Sequence, residues 1–98
     1  MQTLTQLLAD TTARQSRHIA ALSTATTKAP LLDTIAGCEG AMTALRALLA
    51  FPAETRRDHA VRLLCEAVRL HPTGNTLVAR EAERDVYADV LGGRLNLV

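Results

Sequence analysis

The stretch from Phe51 to Pro72, FPAETRRDHAVRLLCEAVRLHP, decides the fold of this chain. Between its two prolines, apolar side chains recur at Ala60, Val61, Leu64, Cys65, Ala67 and Val68, three and four residues apart, the spacing of one helix face. Proline lacks the N–H that an α-helix interior requires, and its ring clashes with the preceding turn, so Pro52 and Pro72 bound the helix. Two starts are compatible with the residues. Pro52 can occupy the first helical position, with Glu54 near the positive end of the dipole. Alternatively Thr55 caps the helix and Asp58 completes an imperfect capping box. The opposite face carries Asp58, Arg62 and Glu66 one turn apart, pairs worth only a few tenths of a kcal/mol each.

The same punctuation extends outward. Pro30, with Pro52 and Pro72, divides the 98 residues into four helix-length segments. Helices are expected over about 3–26, 31–50, 53–70 and 76–91, with a tail at 92–98. The links around the prolines are short, which favours antiparallel neighbours. The expected architecture is all-α: one domain, 1–98, a compact antiparallel bundle of four helices, or five if the glycines of the second segment break it. A chain of this length buries roughly 65% of its unfolded surface. Hydrophobic residues make up 48% of it and aromatics 2%, so the core must come from Leu, Val, Ile and Ala, material for helix pairs rather than a β-sandwich.

In the first segment, Leu4, Leu7, Leu8, Ile19 and Leu22 keep helical period. The stripe is interrupted by Thr11, Gln15 and His18. Such an interruption implies a face half buried at the edge of the bundle, or a polar contact across a partner helix that fixes register. The second segment places Leu31 or Leu32, Ile35, Cys38, Met42, Leu45 and Leu49 on one face. Beside them runs a row of small residues, Gly37, Gly40, Ala41, Ala44 and Ala47. Each glycine inside a helix costs about 1 kcal/mol relative to Ala, so something must compensate. Close helix packing at Gly37, Gly40, Ala41 and Ala44 is the first candidate; a break at Gly37–Gly40 and a ligand against the bare backbone are the others. In the last segment Leu77, Val78, Ala82, Val86, Tyr87 and Val90 face inward. Thr73 or Asn75 can cap it, and Gly92-Gly93 ends it. The tail Arg94-Leu95-Asn96-Leu97-Val98 can dock extended or fray.

Ala60, Leu64, Ala67 and Pro72 resemble the second helix of a tetratricopeptide repeat and its closing proline. That resemblance covers one arm of the chain, lacks the first-helix signature and meets no self-similar period, so family membership is not read from it.

Composition excludes more than it identifies. Net charge is +1, and the halves 1–49 and 50–98 carry four basic against three acidic and seven against seven, without the basic excess of a nucleic-acid footprint. Ten of the eleven cations are arginine, a residue suited to carboxylate and phosphate forks but equally a mark of GC-rich codon usage. Cys38, His59, Cys65 and His71 form no metal-ligand spacing, and no nucleophile elbow, phosphate loop or dinucleotide loop occurs. No catalytic, cofactor or metal site is expected. No secretory signal or membrane-length apolar run is visible either, which reads as a cytoplasmic protein.

The expected function is therefore non-enzymatic: a protein–protein interaction module, such as an adaptor, a chaperone-like partner or a small inhibitor, that also self-associates, a dimer first. Leu4, Leu8, Gln15, His18 and Leu22 are the candidate contact face, with Arg56 and Arg57 as a polar rim. The alternative is a small nucleic-acid-binding regulator using Arg14 and Arg17 on the first helix and Arg56 and Arg57 on the third.

Overall fold

The computed structural model describes residues 1–70 and 72–98. Four helices carry the chain: α1 (Leu4–Ala21), α2 (Ala29–Leu49), α3 (Arg56–Val68) and α4 (Asn75–Leu91), with one 3₁₀ turn at Ala53–Thr55. Among the described residues there is no strand, only an isolated parallel bridge between Thr3 and Asn96.

Each boundary has a local cause. Thr3 and Gln6 form a capping box, in which the Thr3 hydroxyl accepts from the Gln6 N–H at 3.0 Å and the Gln6 side chain accepts from the Thr3 N–H at 2.9 Å. Helix α1 ends at Ala21 rather than near residue 26, because Ser23 and Thr24 turn their hydroxyls onto the carbonyls of Ala20 and Ala21. Pro30 lies in the first turn of α2, where its missing N–H has no partner to lose. Helix α2 then runs unbroken through Gly37 and Gly40, so the five-helix alternative does not occur. Neither Thr73 nor Asn75 caps α4: Gly74 precedes it at φ +60°, ψ −139°, and Asn75 is already helical. Past Leu91 the chain closes in a Schellman motif. Gly93 takes φ +73° and donates to Val90 O at 3.2 Å, Arg94 N donates to Asp89 O at 2.9 Å, and the Arg94 and Asp89 side chains pair at 2.7 Å.

The helices form a flattened body of 45 × 29 × 20 Å. Helices α2 and α4 are the central pair, α1 packs on the outer side of α2, and α3 on the outer side of α4. The chain turns through 111° between α2 and α3, which scarcely touch. At that corner the Phe51 ring stacks on His59, centroids 3.6 Å apart, and pins the loop to α3.

Packing is concentrated at one end. Leu4 from α1, Leu45 and Leu48 from α2, and Tyr87 and Val90 from α4 are fully buried together, with Ala60 and Ala67 from α3 behind them. Each of the larger aliphatic side chains contributes roughly 1.5–3 kcal/mol on burial. The tail docks here. Leu95 and Leu97 pack on this core, Asn96 N donates to Gln2 O at 2.9 Å, and Val98 O accepts from Leu4 N at 3.0 Å, which satisfies a donor left open at the start of α1.

Two expected core faces are only partly covered. Val61, Cys65 and Val68 of α3 are exposed, because α3 meets only α4 over any length and turns Ala60, Leu63, Leu64 and Ala67 toward it. Leu77 at the start of α4 is 39% exposed. No single helix is long and apolar enough to cross a membrane.

Candidate functional site

Helices α1 and α4 stand on either side of α2 without filling the space above it. The result is a groove of about 680 Å³. Its floor is the small-residue row of α2 at Gly37, Cys38 and Ala41. Leu7 and the fully buried Thr11 form the α1 wall, and Val78, Ala82 and Val86 the α4 wall. The depth comes from what α2 lacks: long side chains at these positions would fill the gap between the flanking helices.

The rim is acidic. Asp33 stands on the α2 side, Asp85 and Asp89 one turn apart along α4, and Arg14 is the one cation lining the groove. Asp89 is engaged by Arg94 at 2.7 Å, whereas Asp33 and Asp85 have no ion pair among the described residues. An apolar trough with charged edges can hold an apolar helix face and select it by the charges alongside.

The second feature is a polar cluster where α2 meets α4. Glu83 is 8% exposed and accepts from Arg80 at 3.0 and 3.3 Å, while the Tyr87 hydroxyl donates to the same carboxylate at 3.4 Å. Burial first, then the Glu83 charge and hydrogen bond, push the Tyr87 phenol well above the usual tyrosine range. Arg80, Glu83 and Tyr87 satisfy one another, and the cluster ties successive turns of α4.

The residues expected to form a contact face are dispersed. Leu4 has no exposed surface and belongs to the core. Leu8 is half buried against that core, and His18 and Leu22 are half buried farther along α1. Gln15 is not free: its amide donates to Ile35 O at 3.3 Å and to Glu39 Oε2 at 3.0 Å on α2, the cross-helix polar contact that the broken stripe allowed. Arg56 is no rim either. Its Nε donates to Leu48 O at 3.0 Å and Phe51 O at 2.9 Å, and a second nitrogen donates to Leu97 O in the tail. Arg57 donates to Leu91 O at 3.0 Å.

Among the small residues, Gly40 is where helices meet closely. A Cβ there would lie 1.8 Å from Ala79 O. Ala44 is fully buried, while Gly37 and Ala41 face the groove. The groove's walls escaped the sequence because they come from the first and the last helix; only its floor left a signal, the small-residue row. Among the described residues no group of three His, Cys, Asp or Glu side chains could hold a metal ion, and His71 lies outside those residues. Comparison of the chain with protein-family models, with curated proteins and with solved structures finds no match.

Proposed function

We propose that the chain is a non-enzymatic protein–protein interaction module that receives an apolar helix face in the groove between α1 and α4. One observation carries the reading. A trough of about 680 Å³ with a glycine- and alanine-lined floor sits between two helix walls and is edged by charge. An amphipathic helix presents what such a site accepts, anchors at i, i+3, i+4 and i+7. The nucleic-acid alternative gains no support, since two of its four arginines, Arg56 and Arg57, already donate to backbone carbonyls.

A displayed library of helical peptides tests the proposal, panned on the wild-type protein with Ala82→Arg as the counter-target. Ala82 lines the groove wall, so an arginine there fills the trough while leaving the core intact. The expected result is enrichment of one-sided apolar helices that the variant retains at least about tenfold less, a difference of roughly 1.4 kcal/mol. No enrichment, or equal retention by both proteins, overturns the proposal.

A further inference from the structure

Thr11 and Gln15 both interrupt the apolar stripe of α1, and the fold accounts for only one of them. Gln15 donates to Ile35 O and Glu39 on α2. Thr11, one turn earlier, is 1% exposed, yet its hydroxyl makes no hydrogen bond with any described residue. Other helical threonines behave differently. The hydroxyls of Thr12, Thr34 and Thr43 donate to the carbonyl one turn back, at 2.7, 3.0 and 2.9 Å, whereas Thr11 makes no such bond to Leu7 O.

Among the described residues, no side-chain oxygen or nitrogen that is sealed from solvent lacks a partner. The sliver of surface that Thr11 keeps is therefore its hydroxyl's, and it opens into the groove that Thr11 lines. The floor offers it little: Gly37 and Ala41 carry no polar side-chain atom, and Cys38 only a weakly polar thiol. Thr34, the other hydroxyl along the groove, is already engaged with Pro30 O. While the groove is open, the Thr11 hydroxyl meets solvent. An occupant that is apolar throughout seals it without a partner, which weakens binding; one with a hydrogen-bonding group at that point does not.

We infer that the helix received by the groove carries one uncharged hydrogen-bonding side chain among its apolar anchors, a serine, threonine, asparagine or glutamine seated on the Thr11 hydroxyl. The inference rests on the groove being an interaction site for a helix and names the chemistry of its occupant. The anchor is neutral because the groove's acids, Asp33 and Asp85, stand at the rim, and a charge carried down to Thr11 would be buried without a counter-charge. It lies within the apolar face rather than at its end, because Thr11 sits one turn from both Leu7 and Arg14 on the α1 wall. One polar group so placed fixes the register of the incoming helix, as a single buried asparagine does in a coiled coil, and it disfavours partners that leave it unpaired.

Three forms of residue 11 test this. Thr11→Val replaces the hydroxyl by a methyl of similar size, Thr11→Ser keeps the hydroxyl, and circular dichroism checks that both variants retain their helices. A displayed library of one-sided apolar helices, each anchor position open to Ser, Thr, Asn, Gln, Lys, Leu, Val and Ala, is panned on all three proteins. The wild-type and Thr11→Ser proteins should enrich helices with one neutral polar anchor, and Thr11→Val should enrich helices with an apolar residue there. A selected helix is then compared with its counterpart in which that anchor alone is made apolar. The wild-type protein should prefer the polar member at least about tenfold, roughly 1.4 kcal/mol, and Thr11→Val should lose that preference.

Selection of fully apolar or lysine-bearing helices by the wild-type protein overturns the inference, and so does a polar preference that Thr11→Val retains. In both cases the groove still holds a helix and the proposed function stands. Failure of the groove itself looks different: no helix is retained, or Ala82→Arg retains the selected helices as well as the wild type does, and the inference falls with it.

Discussion

Gly40 and Gly37 look alike in the sequence, three residues apart in the same small-residue row, yet the structure gives them opposite roles. At Gly40 an added Cβ would meet the Ala79 backbone, 1.8 Å from its oxygen and 2.6 Å from its carbonyl carbon, so α2 and α4 would have to separate along their main contact. At Gly37 the same atom would sit 3.7 Å from Val78 Cγ1, an ordinary contact. Alanine gains about 1 kcal/mol of helix propensity at either site. At Gly37 that gain stands, and Gly37→Ala is expected to raise stability by up to about 1 kcal/mol. At Gly40 overpacking outweighs it, and Gly40→Ala is expected to lose about 2 kcal/mol or more. Urea midpoints of the two variants check this; equal shifts of the same sign would show that the helix contact yields freely. The row announced that some helix comes close. It held no information on which glycine is touched, because that depends on the register of α4.

At the scale of elements, the proline punctuation was legible and the helix ends were not. The Thr3–Gln6 box carries a recognisable spacing in the sequence, T-x-x-Q, that a reading of apolar stripes passes over. The C-termini are less local still. Arg56 donates to Leu48 O and Leu49 O at the end of α2, Arg84 to Ala67 O and Leu70 O past α3, and Arg57 to Leu91 O at the end of α4. Three helix ends thus receive a guanidinium from another part of the chain, which accounts for several arginines without any ligand. Arg56 also ties the tail through Leu97 O. Its replacement by alanine should cost about 2–3 kcal/mol, since charged donors to otherwise open carbonyls are worth more than neutral ones. Lysine should recover little, because a single ammonium on a flexible stem cannot span the carbonyls a planar fork reaches. Arg62→Ala is the control: its pair with Glu66 is exposed on both sides and should change stability by under about 0.5 kcal/mol. Denaturant titration separates the two cases, and an Arg56→Lys protein as stable as wild type would show that charge alone suffices.

For the whole molecule, the fold class followed from the aliphatic stripes, but the arrangement of helices did not. Short links favour sequence neighbours, and α1 with α2 and α3 with α4 obey that preference. The main contact is α2 with α4, which the chain reaches only because α3 turns away through 111° and returns α4 along the glycine face. That detour leaves the body unevenly packed. Around Leu45, Leu48, Tyr87 and Val90, four helices and the tail converge; around Ile19 and Leu32, which are 50% and 43% exposed, α1 and α2 have little besides each other. Stability should follow this gradient. Opening the α1–α2 tip exposes little apolar surface that is not already wet, whereas opening the other end breaks the core, the Arg56 ties and the tail at once. Backbone amides of Leu45–Leu48 and Val86–Val90 should therefore exchange only through global unfolding. Those of His18–Ala21 and Thr34–Ala36 should open at least about 2 kcal/mol more cheaply, roughly thirtyfold faster exchange at matched intrinsic rates. Hydrogen exchange on dilute protein measures both sets. Uniform protection along α1 and α2 would mean that the Gln15 bridge to Ile35 and Glu39 holds the tip as firmly as burial holds the opposite end.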